Sequence, residues 1–326
     1  MGGHLGCRVV WHHELREAQR SEADVIVSTI CARIQAWAAI ATRHHASQLT
    51  RLNASTSTSV RVGPTIAALL AWAADAWELS GGLVNITMLN ERIAAERGDA
   101  SATDTAMDRA WNLQLRSWRH HDHSHLLGGA LERPLGLQLD LDGVGKGWIV
   151  DRAASLLERT LDTAVATGRL PEWSSCFVDG DGDIAVRNRA GAQTEISIEI
   201  PRDEERAIGS LTVSGAIRGV ATSGTGVHHW GGRHHLIDPR TGLSAQSGIA
   251  QATVVAQSAR EAEAWAKSIV IDGAAAIRRA EAAGVEQIVA VQDSGEIVSA
   301  PALPRLRVHT TYAPAPTTVA THGAHR

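Results

Sequence analysis

Lysine is nearly absent: only two of the 31 basic residues are lysines, Lys146 and Lys267, and the other 29 are arginines. The two side chains are not interchangeable where a compact point charge is needed, so these positions stand out. Cysteine is also sparse. Cys7, Cys31 and Cys176 are widely spaced, odd in number and form no CxxC pair, which excludes a disulfide framework and predicts reduced thiols in a cytoplasmic setting. No apolar run approaches the roughly 20 residues of a membrane span. The opening GGHLGCRVVWHHELRE has no signal-type apolar region, so Cys7 does not read as a lipoprotein cysteine. A net charge of -4 gives no basic surface for nucleic acid or anionic lipid. What is present, 44% hydrophobic and 20% charged residues in 326, suits a globular chain with a substantial core.

Periodicity predicts helices over about Glu22 to Thr42, with Ser21 as cap, and over Thr65 to Leu79, stopped by Gly81 and Gly82. ASQLTRLNAS between them, with Asn53, reads as a polar connection. The polar stretch from Asn90 to His125 ends in RHHDHSHLL, where His120, His121, His123 and His125 read as a solvated surface rather than metal ligands. Leu135 to Leu141 alternates like a half-buried strand, Asp142 to Gly147 is a glycine-rich turn, and Trp148 to Ala164 is helical. Strand, glycine turn and helix can cradle a phosphate, although GVGKGW matches neither a P-loop nor a dinucleotide fingerprint, and a plain strand-to-helix turn fits as well. CFVDGDGDIAVRN reads as strand, acidic turn and strand. Its Asp179, Asp181 and Asp183 have calcium-loop spacing without the required glycine and glutamate. Later come strands in EISIEI, LTVSGAIRGVATSG and IAQATVVAQ, and a helix capped by Ser258. On that helix Glu263 and Lys267 stand at i and i+4, the spacing of an ion pair. A further helix and strand pair precede a tail, 301–326, whose Pro, Ala and Thr content predicts disorder; residues 1–300 are expected to form one domain.

The densest polar span is VATSGTGVHHWGGRHHLIDPRTGLSA, from Val220 to Ala245. Pro239 fixes φ and Gly242 follows, which places Asp238 at a tight turn after an apolar strand. Polar clusters of this kind carry chemistry, or form a hairpin with solvated histidines.

Four segments in order, LDLDGVGKGWIVDRA, CFVDGDGDIAV, VATSG with HHLIDPRTG, and TVVAQSAREAEAWAKSIVIDG, resemble the ApbE-type FAD:protein FMN transferases. HLGC and RHHASQLTRLN add weaker echoes. The resemblance implies a mixed α/β (α+β) fold related to the thymidylate-synthase-complementing type, with mixed sheets and packed helices. It implies FAD as substrate, Mg²⁺, and transfer of FMN to a Thr or Ser hydroxyl of a flavoprotein partner with release of AMP. Mapped onto this chain, it implies a flavin and phosphate site of Gly6, Asp140, Gly145, Lys146, Asp179, Gly180, Thr222, Ser223, Gly224, His235 and Asp238. Lys146 would neutralise phosphate charge, and His235 or Asp238 would handle the proton. Metal ligands would come from the Gly145 carbonyl and from the late helix, where Glu263 holds the family's Asp position.

The chain departs from that pattern where the metal should be. Lys267 occupies the family's Thr position, and a protonated ammonium repels a cation. The resemblance therefore leaves Lys267 as a substitute for the metal's charge or as the residue that abolishes the site. GLVNIT over 82–87 replaces the family's GxFDPT, and Asp179 replaces an Asn. Flavin transfer is the leading expectation. FAD hydrolysis to FMN and AMP, and flavin binding without catalysis, are the alternatives.

Overall fold

The computed structural model describes residues 8–11, 15–98, 114–119, 126–200, 203–226, 228–300 and 306–308. In chain order the first half comprises β1 (Arg8–Trp11), α1 (Glu17–Ala41), α2 (Gln48–Ala54), β2 (Ser59–Val62), α3 (Pro64–Ser80), α4 (Leu89–Arg97), β3 (Gln114–Arg119), β4 (Leu126–Glu132) and α5 (Gly145–Ala166). Strands β5 (Ser175–Gly180), β6 (Asp183–Asn188), β7 (Gln193–Ile200), β8 (Asp203–Ser214) and β9 (Ile217–Gly224) follow. Four two-residue strands come next: β10 (His229–Trp230), β11 (Arg233–His234), β12 (Ile237–Asp238) and β13 (Leu243–Ser244). The chain then forms β14 (Ile249–Ala256), α6 (Ala259–Asp272), α7 (Ala274–Ala282), β15 (Gln287–Gln292), β16 (Ile297–Ala300) and β17 (Leu306–Val308).

Seven strands form the central sheet in the order β1-β5-β6-β9-β14-β15-β16, every neighbouring pair antiparallel. Alternation along each strand assigns its side chains to two different cores. Ala185, Ala221, Val254 and Ile288 face the helices, whereas Val186, Val220, Val255 and Val289 face the hairpin β7–β8 with Ile196, Ile198 and Leu211. On the helical side α5 and α6 lie on the sheet and α1 and α3 cover them. The buried stripe Ile26, Ile30, Ile34 and Ala38 on α1 joins Leu157 and Leu161 of α5 in one cluster.

Glycine makes the α5–α6 contact possible. A Cβ on Gly147 would lie 2.6 Å from the Arg260 Cα, and one on Gly219 of β9 would lie 1.9 Å from the Ala259 nitrogen. The start of α6 is thus seated against both. Asp151 caps it, Oδ1 accepting the Ala259 N–H at 3.0 Å and Oδ2 the Arg260 N–H at 3.1 Å, while Ser258 Oγ accepts from Glu261.

Several expectations change. The first helix begins at Glu17 with Arg16 as its cap, so Ser21 lies inside it. Over Gln19–Ala41 that helix has a mean hydropathy of 1.3, enough by length and composition to cross a membrane, contrary to the expectation of no such run. One stripe of it, Ile26, Ile30, Ile34 and Ala38, packs on α3 and α5, while most of the apolar window is not buried. The polar connection around Asn53 is helical, and α4 sits in the polar stretch that predicted no element. Leu135 to Leu141 is not a strand. Its backbone is held instead by a two-way bond between Asn53 and Leu139, at 2.8 and 2.9 Å, and by Asp140 N–H to the Ile86 carbonyl. The glycine turn is shorter than expected, because α5 starts at Gly145. Within the expected tail, 306–308 pairs with β8; the remainder of the tail, like Gly6, Cys7 and the histidines 120–125, lies outside the described residues.

Candidate active site

The first turn of α5, the β5–β6 turn, the end of β9 and the start of α6 converge. Lys146 Nζ donates to the Asp181 carbonyl at 3.1 Å and lies 3.2 Å from Asp183 Oδ2. Burial alone would lower the lysine's pKa, but the Asp183 and Glu263 carboxylates outweigh it and hold the ammonium above its ordinary value. Asp181 takes φ 55°, unusual for a residue with a Cβ, and Asp179 Oδ1 steadies the turn by accepting the Gly182 N–H at 3.0 Å. Gly180 closes β5 opposite Asp183. Asp183 in turn pairs with Ala221 of β9, which brings Thr222, Ser223 and Gly224 to the same end of the sheet. The Thr222 hydroxyl is 2.9 Å from that of Thr253.

Glu263 is 0% exposed and Lys267 8%. Lys267 Nζ donates to Glu263 Oε1 at 2.7 Å, and the Gly147 N–H donates to Oε2 at 3.0 Å. Burial pushes the Glu263 carboxyl above its usual range against the pull of Lys267. The expected ion pair is present, and it is buried at the mouth of α5 rather than solvated. A divalent ion here would need free carboxylate oxygens, but both Glu263 oxygens are engaged and an ammonium stands in the adjoining ligand position. Gly145, Glu263 and Lys267 therefore do not fit Mg²⁺.

The two neighbouring histidines play different parts. His234 Nδ1 accepts the Leu236 N–H at 3.3 Å, and Nε2 lies 2.9 Å from the Ala245 carbonyl, which makes Nε2 the protonated nitrogen. His235 packs edge-on against His228, with ring centroids 5.5 Å apart, and its buried Nδ1 has no hydrogen-bond partner among the described residues. Burial, then the Arg92 and Lys267 charges, hold its pKa well below the ordinary value, so the imidazole is neutral. Asp238 is engaged differently: Oδ1 accepts the Arg240 N–H at 2.9 Å, and the Arg240 guanidinium spans both oxygens and continues to Asp272. That clamp secures the PRTG turn. His235 is left as the group with an open lone pair.

Asp140 and Asp142 are gathered by arginines that the sequence did not mark. Arg92 of α4 reaches Asp140 Oδ2 at 3.3 Å and Asp142 Oδ2 at 3.4 Å, while Arg43 lies 3.7 and 3.6 Å from the same oxygens and pairs with Glu96. Burial, then the neighbouring Asp142, raises the Asp140 pKa despite these cations. Asp183 is likewise absent from the expected site, although its place in DGDGD was a signal. Arg92 had none, being one arginine among 29 in a polar stretch.

Known proteins share this fold. An FAD:protein FMN transferase of Klebsiella pneumoniae is 26% identical over 239 residues, 62% of this chain and 70% of that protein. One of Escherichia coli K12 is 30% identical over 144 residues, 42% of this chain and only 37% of that protein. The Thermotoga maritima ApbE protein superposes with a TM-score of 0.67 at 19% identity, covering 90% of this chain and 93% of that one. Pseudomonas stutzeri flavinyl transferase ApbE gives 0.63 at 18% identity, covering 90% and 94%. The sequence profile of the ApbE family matches residues 7–289, and the chain belongs to that family.

Proposed function

We propose that this chain is an FAD:protein FMN transferase. The observation that carries the reading is a neutral imidazole with an unpartnered, buried Nδ1 at His235, within the field of Lys267, whose partner Glu263 accepts the Gly147 N–H in the first turn of α5. The acceptor is a Thr or Ser hydroxyl of a flavoprotein. Its oxygen bonds to the phosphorus on the FMN side of FAD, the bond from that phosphorus to the bridging oxygen breaks, and AMP leaves with that oxygen. The hydroxyl proton passes to His235 Nδ1. Lys146 and the N-terminus of α5 stabilise charge on the pyrophosphate as the bond breaks. Thr222, Ser223 and Gly224 bring small polar groups to the flavin or phosphates, and Asp238 holds the loop that carries His235. The resemblance of the motifs and the family membership support this reading over hydrolysis or passive binding. Unpaired Cys31 and buried Cys176 fit the cytoplasmic setting proposed for it.

The test is to incubate the full chain with FAD and a flavoprotein subunit bearing a candidate Thr. AMP and acid-stable protein-bound flavin are expected in a one-to-one ratio. AMP with free FMN and no bound flavin would identify a hydrolase instead.

A further inference from the structure

The chain's only two lysines meet in this one site, each held by a buried carboxylate: Lys146 by Asp183, 1% exposed, and Lys267 by Glu263. Lys146 and Asp183 both act on the Glu263 carboxyl, and Lys267 acts on the His235 imidazole, so the four charges and the imidazole share one electrostatic neighbourhood. Glu263 Oε2 also takes the Gly147 N–H, which ties the Lys267 pair to the turn of α5 that carries Lys146. A buried ion pair seldom stabilises a fold more than packed apolar residues would, so stability alone does not explain its retention.

We propose that the Lys267 ammonium is a resident cation, standing where the family pattern would seat a divalent ion, and that this chain binds the pyrophosphate of FAD without such an ion. The inference rests on the flavin reading above. An ammonium has three donors, and Lys267 uses one of them, on Glu263, among the described residues. With Glu263 ionised the pair is neutral as a whole, so Lys267 acts through directed N–H donation and local field rather than through net charge. The uncancelled attraction for phosphate comes from the N-terminus of α5. Two fixed ammoniums beside Glu263 also disfavour entry of a second cation.

Two titrations of the full-length chain test this. In the first, Mn²⁺ binding is followed by electron paramagnetic resonance, which needs no flavin. The wild type is expected to show no stoichiometric site, and the Glu263→Asp/Lys267→Thr double variant to gain one. A saturable wild-type site that disappears in Glu263→Gln would overturn the proposal. In the second, FAD affinity is read by flavin fluorescence in EDTA and in millimolar Mg²⁺. Wild-type values within about twofold are expected, with Lys267→Gln weaker by about tenfold in EDTA and Lys267→Arg weakened less. A wild-type affinity that collapses in EDTA, or a Lys267→Gln chain that melts normally and binds FAD as tightly as the wild type, would also overturn it. Failure to bind FAD in either buffer would instead defeat the flavin reading, and the Mn²⁺ titration would still decide whether Lys267 fills the ion's place.

Discussion

At the scale of single residues, protonation state sets the proposed proton acceptor apart. His235 is neutral because burial and two neighbouring cations disfavour its charged form. As a base it keeps its lone pair well below its ordinary pKa, so the transfer rate should stay level as pH falls through about 6.5 and decline only in more acidic solution. A rate that halves near 6.5 would show an unperturbed histidine. The same shift has a stability sign. Below about 6.5 the unfolded histidine takes up a proton that the folded one refuses, so stability is lost as pH falls from there toward the folded pKa. Urea midpoints measured across that range for wild type and His235→Gln should converge in acid. HHLIDPRTG carries both histidines, and the resemblance singled out His235 without a physical reason for passing over His234. Only the contacts of His234 with Leu236 and Ala245 show that its two nitrogens are already committed.

At the scale of elements, the site depends on how closely α5 and α6 approach. Gly147→Ala would place a methyl 2.6 Å from backbone at Arg260, and the strain should lower stability by about 1–3 kcal/mol and weaken FAD binding. Asp151→Ala removes the acceptors of the Ala259 and Arg260 N–H groups at the start of α6, which should cost about 0.5–2 kcal/mol in denaturant titration. An unchanged midpoint in either variant would contradict the packing described. Helix α6 was legible because its signals are local: Ser258 at the cap, 3.6-residue periodicity and the Glu263/Lys267 spacing. Leu135 to Leu141 was misread because alternation alone cannot say whether a partner strand exists, and Asn53 and Ile86 satisfy that backbone instead. The Arg43 and Arg92 contacts were illegible because the bonds join segments about fifty to a hundred residues apart, with nothing in the local pattern to select these arginines.

At the scale of the whole molecule, one antiparallel sheet places the ends of β5, β6 and β9 against the two helix starts, so the site is assembled from distant parts of the chain. The fold class was legible from ordered motifs. The layering was not, because the split of Val220 from Ala221, or Val254 from Val255, into separate cores requires knowing what covers each face. A ligand bound across so many elements should stabilise them together. FAD at about 100 times its Kd is expected to add roughly 2.7 kcal/mol, seen as a higher melting temperature. No shift with FAD, beside one with AMP alone, would place the nucleotide elsewhere.

The proposed reaction requires His235 and the α5 turn to break the FAD pyrophosphate in favour of a protein hydroxyl. The most direct measurement is the single-turnover rate of AMP release from FAD in the presence of an acceptor protein, for wild type and His235→Ala. The expected result is a fall of about 10²–10⁴-fold in the variant, with FAD affinity largely retained. Equal rates in the two proteins would rule out His235 as the proton acceptor.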